Sequence, residues 1–526
     1  MFTDLRSLSG TLELEADVCI VGAGIAGLTL ARELLGSGLS VTMLESGGSF
    51  GDEQTNQLNE GEVTGLPYFS TTYGRTRGFG GTSELWAGQC TPFDACDFEH
   101  RHWVAHSGWP VRKRDLDAYY RRANAVFGLP EDAFTDEQNL NFPAASIPFD
   151  TERLTSHVSV FSPKRYLGRE LRASLSQDPK FAVLVHATAT ELVPAPGDRR
   201  VEYVVARSLS GRQATVKART YVLACGAIEN ARLLLVSNRV EPAGIGNRHD
   251  LVGRYLQDHV IANCGHIETR RAADLWRRID LARVRKLRWS GKFRIADRIQ
   301  ASEQVLNATA RIVYDYEDSE TVERLVRLYR MVARRAWSEA RRDDIGYLVC
   351  NLPQVAGFGA RHLGYNLPGI VRPRSIQLSC ITEQVPDPES RVSLSNECDA
   401  LGMRTARIHW RISEAERRTI YAVARICRDE FQRLDLGRLE IAPWLEGASI
   451  SWRDQVRDTL HASGTTRMAD DPARGVVDSN CQVFGTDNLF VAGSSVFPTS
   501  GHANPVFSMA ALAIRLGDHV KGMLRA

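Results

Sequence analysis

This 526-residue chain contains no run of about 18 apolar residues, no C-x-x-C pair and almost no net charge. The first absence excludes a membrane-spanning helix. The second removes the spacing of a zinc knuckle or a disulfide framework: the ten cysteines, at 19, 90, 96, 225, 264, 350, 380, 398, 427 and 481, are scattered. With 65 basic and 63 acidic residues and a formal charge of +2, there is no global attraction for nucleic acid or an anionic membrane. The opening residues lack the basic-then-apolar layout of a secretory signal, so a reducing cytoplasm is the expected compartment. Tandem repeats and low-complexity segments are missing too. What remains is ordinary globular composition, 43% hydrophobic and 24% charged, long enough for two or more cores.

The most informative stretch is Asp17-Val18-Cys19-Ile20-Val21-Gly22-Ala23-Gly24-Ile25-Ala26-Gly27. A short apolar strand, Val18 to Val21, runs into G-x-G-x-x-G, and a helix follows through Leu28, Ala31, Leu34 and Leu35. A second apolar strand, Ser40 to Leu44, ends in Glu45, eighteen positions beyond Gly27. This is the layout of a dinucleotide site. Gly22 permits the tight turn, Gly24 lets a pyrophosphate approach the backbone, and Gly27 lets helix and strand pack closely. The helix N-terminus offers unpaired N–H groups to phosphate, and Glu45 accepts from a ribose diol.

Downstream, a glycine-rich stretch ends in Arg77-Gly78-Phe79-Gly80-Gly81-Thr82-Ser83-Glu84-Leu85-Trp86-Ala87-Gly88. A helix is expected from Lys113 to Phe127, strands over 181–194 and 200–223, and a second strand-to-helix crossover from Thr220 through Leu235. Two Arg-rich stretches, 271–288 and 322–342, carry Leu, Val and Trp at helical spacing. They read as solvated helices on the rim of a substrate domain, or as a membrane or partner surface through Arg334 and Arg335. Residues 371–412 read as sheet, 414–434 as helix, Leu489 to Ala492 as strand and Val506 to Lys521 as a last helix.

Two C-terminal motifs complete the pattern. One is His461-Ala462-Ser463-Gly464-Thr465-Thr466-Arg467-Met468; the other runs Asn488-Leu489-Phe490-Val491-Ala492-Gly493-Ser494 and on to Gly501-His502-Ala503-Asn504-Pro505. With the N-terminal turn and the Gly80–Ser83 loop, the chain resembles the glucose–methanol–choline (GMC) FAD-dependent oxidoreductases nearly end to end, most weakly over 266–370. Within them it is most similar to the pyranose-oxidase-like and sugar-dehydrogenase-like branches.

The resemblance implies an α/β, two-domain GMC-type fold. A Rossmann-like FAD-binding domain would be built from 1–100, 181–265 and 450–526, and a substrate domain with an antiparallel sheet and helices from 101–180 and 266–449. Gly22, Gly24, Gly27 and Glu45 would hold FAD's pyrophosphate and adenosine ribose, with Thr188 on the adenine side. Gly80, Gly81, Thr82 and Ser83 would run beside the pyrophosphate and ring. Gly493, Ser494, Asn504 and Pro505 would approach the ribityl and pyrimidine parts. Leu85 stands where pyranose oxidases carry the His that tethers FAD, which implies non-covalent binding. No metal is expected.

Oxidising an alcohol needs a group that takes the hydroxyl proton while hydride leaves carbon, and neutral imidazole suits that task. His461 matches the family's active-site His and is the favoured base. Asn504 matches its partner and would orient the substrate oxygen. His502 is the rival base or a supporting group, since 502 and 504 point the same way on an extended chain. His259, in Leu256-Gln257-Asp258-His259, reads as structural; Gln384 and Trp86 are candidate substrate contacts.

The implied function is oxidation of a CH–OH group on a pyranose, glycoside or aminocyclitol-containing small molecule, with oxygen, a quinone or a protein as electron acceptor. The alternatives are an apolar alcohol or sterol substrate, a non-redox lyase keeping FAD structurally, or a scaffold with a vestigial flavin site.

Overall fold

The computed structural model describes residues 2–525 except 136–146, 196, 198, 273, 274, 276–278, 280, 285, 286, 316–319, 322, 326, 329–341, 353, 354, 357–372 and 448–450. The run Leu12–Val21 is the spine of a first sheet. It pairs in parallel with Val41–Leu44 and Gln213–Leu223, and its last residues, Val18 to Val21, are buried on both faces. A strand covered on both sides loses polar–apolar alternation and reads as a continuous apolar run. Phe181–Val185 and Phe2–Asp4 extend the sheet on one side, Val201–Arg207 and Thr188–Pro194 on the other, and Leu489–Val491 pairs in parallel with Gln213–Leu223.

The stretch expected as one strand over 181–194 is two, broken at His186, whose φ is 51°. Helices Ile25–Leu34 and Ala227–Val236 follow two of the central strands. The final helix, Val506–Arg525, packs along the first of them.

A second sheet orders Arg438–Ile441, Val260–Glu268, Ser375–Thr382, Ala308–Asp315, Leu287–Ile295, Leu154–Phe161 and Gln89–Cys90, with neighbours antiparallel. Val456–Asp458 pairs with Val260–Glu268, and the helix Glu414–Arg433 packs against this sheet. Strands 89–90, 260–268 and 456–458 come from segments that sequence divided from the rest of this sheet at 100, 265 and 450. Residues 371–412 also divide: Arg391–Cys398 and Arg404–His409 join Gly61–Val63 in a separate three-stranded sheet.

The Arg-rich stretch 271–288 is not one helix. Leu281–Val284 and Leu287–Ile295 are antiparallel strands. From Leu287 the period is two: Trp289 and Phe293 point to one face, Lys292 and Arg294 to the other, and all four are buried. Most of 322–342, with Arg334 and Arg335, lies outside the described residues. Among the described residues no helix is long and apolar enough to cross a membrane.

Candidate active site

A cavity of about 550 Å³ opens at the carboxyl ends of the first sheet's parallel strands and is closed on the far side by the second sheet. Its nucleotide half is made by the first turn. Gly22 has φ 104°, and a Cβ there would stand 2.6 Å from the Ala224 carbonyl oxygen. A Cβ on Gly27 would stand 2.0 Å from the Gly22 oxygen, which explains the close helix–strand contact. A Cβ on Gly24 would meet nothing within 4 Å, and Gly24 lines the cavity. Gly24 is also the N-cap of Ile25–Leu34, and neither a capping side chain nor an acid in the first turn occupies that end. Such an uncapped N-terminus suits a pyrophosphate.

Glu45 is buried on the cavity wall. Its Oε2 accepts from the Ala23 N–H (2.9 Å) and its Oε1 from the Gly47 N–H (2.9 Å). Burial pushes its carboxyl pKa up, against these bonds and the Arg77 charge. Ala187, Thr188 and Ala189 line the same half, as do Gly81, Thr82, Gly493, Ser494 and Pro505. Gly80 and Ser83 stand behind the wall: the Gly80 N–H donates to Ala23 O (3.0 Å), and Ser83 Oγ donates to Gly80 O (2.6 Å). Sequence did not single out Glu229, which lines the cavity between Arg75, Arg77 and Arg232. Burial raises its pKa, but the three guanidinium groups outweigh burial and hold it far below the usual range.

The other half brings His461 and Asn504 together, with Nε2 and Nδ2 3.3 Å apart, both on the wall. The Asp258 carboxylate fixes the backbone here, accepting from the N–H of Thr459 (3.1 Å) and of His461 (3.0 Å) and from the Tyr68 hydroxyl (3.0 Å). Burial, then Asp458, raises the Asp258 pKa to about 7.

The hydrogen-bond chain assigns the imidazole tautomers. Ser500 O can only accept, so His259 carries its proton on Nε2 (3.3 Å). His259 Nδ1 then accepts from His461 Nδ1–H (3.0 Å), and the Thr459 hydroxyl oxygen lies 2.8 Å from the same nitrogen. His461 Nε2 is left with its lone pair toward Asn504 and the cavity. Burial, with His259 and Lys292, lowers the His461 pKa well below 6.5, and burial lowers that of His259 to about 4, so both are neutral. His259, read from sequence as structural, thus touches the base directly; its only sequence signal is its place beside Asp258.

Two candidates fall elsewhere. His502 does not line the cavity: it is 2% exposed, its Nε2 donates to Asp94 Oδ2 (3.0 Å), and its ring lies 4.9 Å from that of His157. Asp94, His157 and His502 bring ligand-type atoms within 4.8 Å of one another, but the same Asp94 oxygen is held by Arg294 Nε (2.8 Å). Gln384 is also off the wall. Its Oε1 accepts from Trp410 Nε1–H (2.8 Å) and the Asp258 N–H (3.1 Å), and its Nε2 donates to Arg411 O (2.7 Å). It ties together the segments that flank the strands and has no polar atom left for substrate. Trp86 does line the cavity, with its Nε1–H donated to Arg165 O (2.6 Å), and Leu85 lies beside it. The second sheet contributes Ile261, Arg311 and Ile381, none of them singled out from sequence.

A strand–glycine-turn–helix cradle opening on a neutral His–Asn pair defines a flavin-dependent oxidoreductase. Family comparison agrees: residues 17–244 match the FAD dependent oxidoreductase model and 386–513 the GMC oxidoreductase model. The chain thus joins an FAD oxidoreductase domain to a GMC oxidoreductase C-terminal domain, and its cofactor is FAD.

It is 24% identical to the fructose dehydrogenase large subunit of Gluconobacter japonicus, over 97% of this chain and 99% of that one. It is 24% identical to the 6'''-hydroxyparomomycin C oxidase of Streptomyces lividus, over 98% and 93%. The crystal structure of formate oxidase superposes with a TM-score of 0.57 at 16% identity, over 98% and 99% of the two chains.

Proposed function

We propose that the protein oxidises a CH–OH group of a carbohydrate-like small molecule to a carbonyl. The observation that carries this reading is His461 Nε2, a neutral imidazole lone pair at the cavity wall, 3.3 Å from the Asn504 amide. FAD, when bound in the cradle, supplies the hydride acceptor. The chain's own residues do the rest. Asn504 binds and orients the substrate hydroxyl, and His461 Nε2 takes its proton. His259 and Thr459 hold the His461 ring and its tautomer. Ile261, Ile381, Leu460 and Trp86 exclude water around the reacting carbon.

The names of both relatives refer to sugar-derived molecules, which supports a carbohydrate-like substrate. An apolar alcohol or sterol is disfavoured by Arg311 on the cavity wall. Leu85 carries no nucleophilic nitrogen, so FAD is held non-covalently: denaturation in acid should release all the flavin into the supernatant.

The test is anaerobic absorbance of the FAD-loaded protein titrated with sugars, glycosides, aminocyclitols and apolar alcohols. Bleaching by a carbohydrate, lost in His461→Ala with FAD still bound, is the expected result. Flavin that none of them bleaches would instead favour a lyase.

A further inference from the structure

Most of the polar side chains on the cavity wall are engaged with one another or with backbone. Glu45 accepts from backbone N–H groups, and Glu229 is held by Arg75, Arg77 and Arg232. Asn59 Oδ1 accepts from Arg77, and Asn504 faces His461. Gln89 lines the same cavity, half-buried, and its amide has no hydrogen-bond partner among the described residues.

The chain around Gln89 explains why the amide points there. Trp86 is anchored by its Nε1–H bond to Arg165 O and by the Phe127 ring, 5.6 Å away. Gly88 then turns the backbone with φ 89°, and its carbonyl accepts from the Ser162 N–H (2.8 Å). Gln89 and Cys90 form an edge strand of the second sheet, opposite Phe161 and Val160. Successive side chains of a strand point to opposite faces. Cys90 is buried in the core, so Gln89 projects from the other face, into the cavity. The Trp86 anchor and the strand pairing hold it there before anything binds.

An amide offers a donor and an acceptor side by side. Two neighbouring hydroxyls, one accepting and one donating, complement that pair. A site built to hydrogen-bond hydroxyls rejects an analogue that lacks them, because its own polar group then loses water and gains no partner.

We propose that Gln89 determines specificity: its amide binds a pair of neighbouring hydroxyls on the substrate, apart from the hydroxyl that His461 and Asn504 engage. This rests on the oxidoreductase reading above and deepens it. An alcohol with a single hydroxyl would leave the amide unpaired.

The experiment reads binding apart from turnover. FAD-loaded protein is reduced with dithionite in oxygen-free buffer, so that no oxidation follows. It is then titrated calorimetrically with methyl glucoside, methyl galactoside, methyl mannoside, myo-inositol and cyclohexanol. At least one polyol should bind at least about tenfold more tightly than cyclohexanol. Single-deoxy analogues of that polyol should show two neighbouring hydroxyls whose removal each costs most of the gain. In Gln89→Met, which keeps the length and loses the amide, parent and deoxy analogues should bind within about twofold of one another. Its FAD content and thermal transition should match those of the unaltered protein.

No polyol preference, no such hydroxyl pair, or a preference intact in Gln89→Met overturns the proposal. So does a folded Gln89→Met protein that loses its flavin, since the amide would then belong to the cofactor site. The deoxy series on the unaltered protein decides even if that variant is unstable. A polyol bound through Gln89 that never bleaches the oxidised flavin leaves the specificity site standing and counts against the oxidation reading.

Discussion

The two large sheets face one cavity with opposite chemistries. The first presents backbone: glycines, a helix N-terminus and carbonyl-bound loops, with its charged side chains tied to one another. The second presents side chains, and on one face it buries Lys292 and Arg294 in a strand beside the half-buried Arg311. Backbone sites depend on the absence of Cβ atoms, whereas side-chain sites depend on which groups alternate inward. The first sheet should therefore break at single glycines, and the second should break by charge.

The largest effect is expected at Gly27. In Gly27→Ala the new Cβ would sit 2.0 Å from the Gly22 oxygen, a backbone atom that cannot yield cheaply. The variant should be colourless and lose its cooperative unfolding transition. Gly24→Ala is the control for the comparison: its Cβ enters open space on the cavity wall. That protein should fold normally without cofactor and bind FAD more weakly. Flavin content and thermal unfolding measured on both variants decide the point; equal behaviour would deny the two glycines separate jobs.

The next effect is at His461. His461→Ala should retain FAD and lose about 10²- to 10⁴-fold in the anaerobic rate of flavin reduction, the usual worth of a positioned base. His502→Ala, whose ring lies off the cavity against Asp94 and His157, should reduce that rate far less while lowering stability. A larger rate loss at His502 than at His461 would return the base assignment to His502.

These contrasts follow what was readable in the chain. The first sheet and its turn were legible because a strand buried on both faces, a glycine pattern and an acid at fixed spacing all lie within 30 residues of one another. His461, Asn504, Thr188 and Trp86 all line the cavity. The second sheet was hidden because Leu287 to Ile295 carries the basic residues Lys292 and Arg294 on an inward face. Arginine at that density suggests a solvated helix until the period of two is seen against Leu154–Phe161 and Ala308–Asp315. His259 and Arg311 were missed for a related reason. Neither has a local motif, and only pairing across distant strands brings them to the site.

The pH dependence of flavin reduction is a smaller effect. The His461 pKa lies well below 6.5 through burial, with His259 and Lys292 adding to the shift, so the neutral base is the populated form throughout the ordinary histidine range. The reduction rate should stay level as pH falls to 6.5 and decline only well below it. The stability term has the matching sign. The unfolded chain binds a proton near 6.5 that folded His461 refuses, so this group's contribution is present at higher pH and is lost as pH falls. A rate already halved at 6.5 would mean that the imidazole is more solvated than the described wall allows.

Gln384 gives the smallest expected change in chemistry and the sharpest separation of stability from function. Its side chain satisfies Trp410 Nε1–H, the Asp258 N–H and Arg411 O in a buried site. Gln384→Leu leaves three buried polar groups short of partners, each omission worth about 1–3 kcal/mol, so unfolding should shift to clearly lower denaturant. Because Asp258 also holds the Thr459 and His461 backbone through its carboxylate, a modest slowing of flavin reduction should follow, with little change in the substrate concentration for half-maximal rate. A large rise in that concentration, with stability unchanged, would place Gln384 in contact with substrate after all.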